Sequence, residues 1–200
     1  TLTEMMSYGI VQLINTENID VTVDLHEASP EYPVINALIA HERAMNLASN
    51  VVVDMQMEGV QISLEPSPTD LRGLTHRELG DHTDTLALLM EAPNPAQGRL
   101  RDRTDEALVL TGKSETYVKA GEIGQLYVPY DENGWPIEVR CARHVFGIER
   151  ILANYSEMYE EPIIVTGMPS YDELVKNGMG PYLNCLLYTS DAADDLIGVD

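Results

Sequence analysis

The segment Thr85-Leu86-Ala87-Leu88-Leu89-Met90-Glu91, stopped by Ala92-Pro93-Asn94-Pro95, sets the architecture expected of this chain. Side chains alternate faces along an extended backbone, and here both faces are apolar, so a strand built from it must be covered on each side. That is the mark of a central parallel strand with helices above and below the sheet. The run then ends on a carboxylate. An ionised Glu91 at the end of such a strand is costly unless it is paired, bound to a cation or protonated. An ion pair with Arg99 or Arg101, or a helix cap, is the structural alternative to a chemical role.

A second run, Ile19-Asp20-Val21-Thr22-Val23-Asp24-Leu25-His26, alternates and breaks at Glu27-Ala28-Ser29-Pro30. It predicts a strand in which Asp24 and His26 point the same way, so that the carboxylate can orient the imidazole. Open α/β sheets place their chemistry at such strand ends. The competing reading makes His26 a satisfied structural histidine.

Elsewhere the pattern predicts a helix from Pro33 to Asn50, a strand at Val51–Met55, and a hairpin or short return through Glu58-Gly59 into a strand at Val60–Leu64. Glu65 to Asp84 reads as a long polar loop, Asp105 to Gly112 as a short helix, and Tyr127 to Gly134 as a strand end and turn. Pro136 to Tyr155 reads as a surface helix with one inward stripe, Ile163–Val165 as a strand, and Ser170–Glu173 as a helix start. Strands interleaved with helices give an α/β class with a mixed, largely parallel sheet flanked by helices.

Two hundred residues, 44% of them hydrophobic, suffice for one core and one domain. The 12 Lys and Arg face 33 Asp and Glu, a net charge of −21. Such a surface repels phosphate backbones and anionic headgroups, which argues against nucleic-acid and membrane partners. No apolar run approaches the about 20 residues that span a bilayer. Cys141 and Cys185 show no CxxC spacing, which suits a reducing, cytoplasmic setting. Residues 185–200, with Cys185-Leu186-Leu187-Tyr188-Thr189-Ser190-Asp191, resemble translated sequencing-adaptor read-through. They are expected to be a non-native or disordered tail behind a domain formed by residues 1–184.

Other chemistry-bearing groups carry less information. His76, Arg77, Glu78, Asp81, His82 and Asp84 crowd the polar loop without any metal-ligand spacing, though Arg77 is a candidate grip for a substrate carboxylate. Arg99-Leu100-Arg101-Asp102-Arg103 is the densest positive cluster; it reads as a solvated loop or as a hold for an anionic group near Glu91. His41 and His144 read as surface residues. There is no GxGxxG, P-loop or G-x-S-x-G segment.

At Val23-Asp24-Leu25-His26 and Leu88-Leu89-Met90-Glu91 the chain resembles the zinc carboxypeptidase superfamily, in its succinylglutamate desuccinylase/aspartoacylase-like branch. That resemblance covers roughly residues 19 to 165. It implies that His26 is the last of three zinc ligands and Glu91 the general base, at the 65-position interval found here. It further implies a zinc-dependent hydrolase of amide bonds, a carboxypeptidase or N-acyl amino-acid deacylase, acting on a small peptide or N-acyl amino acid. The family's other two ligands come from H-x-x-E, yet Ser29, Ala44, Leu79, Thr85 and Gly147 stand three positions after the five histidines. The expectation is therefore an N-terminally truncated catalytic domain, its remaining Zn2+ ligands and its substrate-binding Asn-Arg pair upstream, inactive by itself. The competing classes are a non-catalytic α/β binding or interaction module that retains the fold and an unrelated acidic α/β protein. Oligomeric state is open.

Overall fold

The apolar run ending at Glu91 forms a strand, β4 (Leu86–Pro93), at the centre of the molecule. The computed structural model describes residues 2–29, 36–94, 110–111, 115–124 and 134–183. In chain order these hold α1 (Leu2–Glu17), β1 (Val21–Ala28), β2 (Ala37–Ala40), α2 (Met45–Met57), β3 (Ser63–Pro66), α3 (Thr75–His82), β4, α4 (Glu115–Glu122), α5 (Ile137–Tyr159) and α6 (Tyr171–Asn177). The sheet order is β1-β4-β2-β3. β1 runs parallel to β4 and β2 parallel to β3, while β2 and β4 are antiparallel. The class is α/β with a mixed, mostly parallel sheet, as the alternating pattern implied.

Burial on both faces explains why β4 sits inside. Leu88 and Met90 point toward α2 and α5, where they join Leu38, Leu47, Val51, Met55, Phe146 and Ile151 in the main core. Ala87 faces the other way, against Leu79 of α3 and Ile14 of α1, and Leu89 packs with Ala37 and Ile39. α5 reaches the sheet at Gly147, where an added Cβ would lie 2.1 Å from Met90 Cε. The start of α6 has the predicted capping box: Ser170 Oγ accepts from the Glu173 amide, and the Glu173 carboxylate accepts from the Ser170 amide.

Several local expectations fail, each for a physical reason. Ala37–Ala40, within the expected helix, is a four-residue strand buried along its whole length, and so short an apolar run carries no period of its own. Val51–Met55 is helical rather than a strand. Leu47, Ala48, Val51, Val52 and Met55 form one buried stripe, and that packing outweighs the strand preference of valine. The chain leaves α2 through Gly59 at φ +83°, and β3 then pairs parallel with β2, so no hairpin forms there. α2 is instead the crossover of a β-α-β unit. The polar stretch 65–84 contains α3. Ile163–Val165 is exposed and belongs to no strand. α1 and α4 had no counterpart in the sequence reading. The expected helix at 105–112 lies outside the described residues except for Leu110 and Thr111, which are helical. Residues 127–133, 99–103 and the expected tail at 185–200 also lie outside them.

No helix among the described residues is long and apolar enough to cross a membrane. The packing of α2 makes a direct test. Leu47→Ala, at a fully buried position, should cost roughly 2–5 kcal/mol, whereas Val53→Ala, with Val53 54% exposed, should stay within about 0.5 kcal/mol. Urea denaturation of both variants checks the helical stripe, since a strand at 51–55 would bury Val51, Val53 and Met55 together.

Candidate active site

The parallel pairing of β1 with β4 puts Thr22 beside Ala87, Asp24 beside Leu89 and His26 beside Glu91. Residues matched across neighbouring strands share a face, so the imidazole and the carboxylate, 65 positions apart in the chain, stand side by side near the C-terminal ends of both strands. His26 Nδ1 lies 3.9 Å from Glu91 Oε1, and His26 Nε2 lies 3.1 Å from Asp24 Oδ2. Asp24 and His26 do share a face, as the alternation required. The His26 side chain is 47% exposed, the Glu91 side chain only 15%.

Glu91 carries the strongest chemical signal of the three. Its pKa is raised, first by burial and then by the charges of Asp24 and Glu27, with His26 opposing. Its Oε2 is buried and has no hydrogen-bond partner among the described residues. Buried carboxylate oxygens in proteins are almost always satisfied, so this one calls for a partner that the described residues do not supply.

Glu27 points to the opposite face and is fully engaged there. Arg140 of α5 donates from Nε to Glu27 Oε1 at 2.6 Å, and Asn94 Nδ2 donates to Glu27 Oε2 at 2.7 Å. Arg140, 1% exposed, also donates to the Trp135 carbonyl oxygen at 2.6 Å. This arrangement fastens the end of β1 to α5 and to the residue after β4. Sequence reading missed it, because an arginine on a helix face gives no sign of its partner.

Arg77 is not a substrate grip. It lies on α3 with its side chain 4% exposed. Its guanidinium donates to both Glu42 carboxylate oxygens (2.9 and 3.0 Å), to Asp81 Oδ1 (3.2 Å), and to Ser67 through Oγ (3.1 Å) and the carbonyl (2.8 Å). Every donor direction of the fork is used. The same carboxylates engage His41 Nε2, at 3.0 Å from Glu42 and 3.2 Å from Asp81. His41 is therefore buried beneath α3 rather than on the surface, and Gly80 is the reason it fits: a Cβ there would sit 2.3 Å from its ring. Arg72, His41 and Arg77, in that order, hold the Asp81 carboxyl down at about 2. His144 is half-buried, and burial lowers its pKa, with Glu27 and the His26 backbone opposing. His82 alone of the α3 histidines is exposed, and it pairs with Glu78 at 3.3 Å.

Among the described residues no group of three or more His, Cys, Asp or Glu is arranged to hold a metal ion. His26 and Asp24 form a carboxylate-oriented imidazole of the kind metal ligands present, and the Glu91 carboxylate adjoins it. They amount to one imidazole donor and a proton acceptor, short of the three protein ligands of a catalytic zinc site. Arg99 and Arg101, the other candidate partners of Glu91, lie outside the described residues. No family model, curated protein or solved structure matches this chain.

Two measurements test this chemistry. Arg77→Ala should destabilise by about 2–3 kcal/mol in urea denaturation, below the ~3–5 kcal/mol of a fully enclosed pair, because the Glu42 partner is 58% exposed and partly screened. For Glu91 the sign is fixed by its raised pKa: the native state holds the proton more tightly, so ionisation penalises folding above that pKa and not below the ordinary 4.5. With chelator present, Glu91→Gln should therefore stabilise the fold at pH 7–8, and the gain should vanish as pH falls below 4.5. Thermal melts across that range check it.

Proposed function

We propose that this chain carries the general-base part of a zinc-dependent hydrolase of amide bonds, of the carboxypeptidase or N-acyl amino-acid deacylase type. The observation that supports it is the in-register pair: an imidazole oriented by Asp24 and, 3.9 Å away, a largely buried carboxylate with a raised pKa. His26 would hold the metal through the nitrogen that Asp24 does not engage. The remaining ligands would come from outside the described residues. Zinc, when bound, supplies Lewis acidity toward the carbonyl and lowers the pKa of its water to about 7.

The residues of the chain have separable tasks. Asp24, its Oδ2 3.1 Å from His26 Nε2, biases the tautomer and ring orientation of His26 by its charge. Glu91 accepts a proton from the attacking water on a carboxylate oxygen and delivers it to the departing amine nitrogen. Its raised pKa moves it toward the range where a carboxylate both takes and returns a proton near neutrality. The Ala87 and Leu89 side chains on the same face keep the neighbouring floor apolar, which strengthens the electrostatics of the pair.

A small peptide or an N-acyl amino acid is the proposed substrate class, and the cytoplasm the proposed location, supported by the paucity of cysteine. In the zinc-loaded protein, Glu91→Gln should lower kcat by roughly 10²–10⁴ with bound zinc unchanged, while His26→Ala should lose the zinc. Metal analysis beside release of amino acid from N-acyl amino acids and short peptides reads both. Equal loss of zinc and turnover in Glu91→Gln, or no cleavage of either substrate class by the zinc-loaded protein, overturns the proposal.

A further inference from the structure

A hollow of about 250 Å³ opens between α1, β1 and α3 on the face that carries Asp24. Ile10 and Leu79 supply apolar wall; Thr22, Asp24, Thr75 and His76 supply polar groups. His76 is 3% exposed, and neither of its ring nitrogens has a hydrogen-bond partner among the described residues. Thr22 Oγ1 is likewise buried and unpartnered there. A buried imidazole and a buried hydroxyl from different elements thus bring unused donors and acceptors to one small hollow, beside the His26–Glu91 pair and outside the Arg77 network. Polar groups so placed are satisfied by a guest or they cost stability.

We propose that this hollow is a binding subsite for a small uncharged amide, hydrogen-bonded by the His76 ring and the Thr22 hydroxyl. The charges decide the ligand class. Asp24 at the rim repels an anion. A cation loses its hydration against the apolar walls and finds no enclosed carboxylate to replace it. His76 itself is neutral at physiological pH, its pKa lowered to about 4 by burial and by Arg77, His26 and His41, with Asp24 opposing. A neutral imidazole offers one N–H donor and one acceptor nitrogen, and a hydroxyl offers both. A carboxamide, with N–H and C=O on one rigid plane, complements that set, and the hollow admits a group of fragment size rather than a drug-sized ligand. The inference is independent of the zinc reading, because no residue assigned to the metal contributes a hydrogen bond to the guest.

The test uses the full chain with chelator present, and the probes are acetamide, acetate and methylammonium. Ring ¹⁵N signals of His76 should shift saturably with acetamide, with a dissociation constant on the order of millimolar for so few atoms. Acetate and methylammonium should leave those signals in place. Thr22→Val, close to isosteric, should weaken acetamide about three- to tenfold, and His26→Ala should leave its binding intact. Circular dichroism confirms that each variant is folded; Thr22→Val carries the test if His76→Phe does not fold. Absence of a saturable shift, equal response to acetate, or unchanged affinity in folded Thr22→Val overturns the subsite. Absence of amide hydrolysis by the zinc-loaded protein, with acetamide binding retained, would overturn only the hydrolase reading.

Discussion

The register between β1 and β4 is the constraint on which the rest depends. A ladder that places Val21 beside Leu86 advances both strands together, so it also places His26 beside Glu91. A slip of one residue would turn Leu88 and Met90 away from α2 and α5 and drive Ala87 and Leu89 into the larger core. The main hydrophobic cluster therefore guards the alignment of the polar pair. Gly147 sharpens this coupling by letting α5 close on Met90, the residue just before Glu91.

The same sheet handles its buried charges in two ways. Arg77 and Arg140 are enclosed, and each is met by carboxylates and carbonyl oxygens in good geometry. These networks pin the edges of the fold: one closes α3 over His41, the other ties β1 to α5. Glu91 and His76, on the face between α1 and α3, are enclosed with polar atoms left over. Saturation marks these two arginines as structural, whereas the other face keeps buried polar atoms unpaired among the described residues. Arg143, also enclosed, holds no carboxylate: it donates to Asn36 Oδ1 and to the Gln61 carbonyl oxygen.

Where local pattern met a long and uniform signal, the chain was legible. The two-faced run at 86–90, the alternation at 21–26, the amphipathic stripe of α5 and the Ser170–Glu173 cap all appear in the structure as the residues imply. Short or mixed signals failed. Val51-Val52-Val53 reads as a strand only when Leu47, Ala48 and Met55 are left out of the window, and Ala37–Ala40 has no period to read. Arg77 and His41 looked solvent-facing because their sequence neighbours are polar, yet their neighbours in space are one another.

Sequence alone determined the α/β class, the central strand and the common face of Asp24 and His26, since each follows from the two-residue period of an extended backbone and the need to bury apolar area. Only the tertiary structure decided that β2 enters antiparallel to β4, that Arg77 is consumed internally, and that Thr22 and His76 share one hollow with Asp24 at its rim. Those outcomes depend on distances between segments far apart in the chain, and such distances are set by the packing of whole elements rather than by the preferences of any one residue.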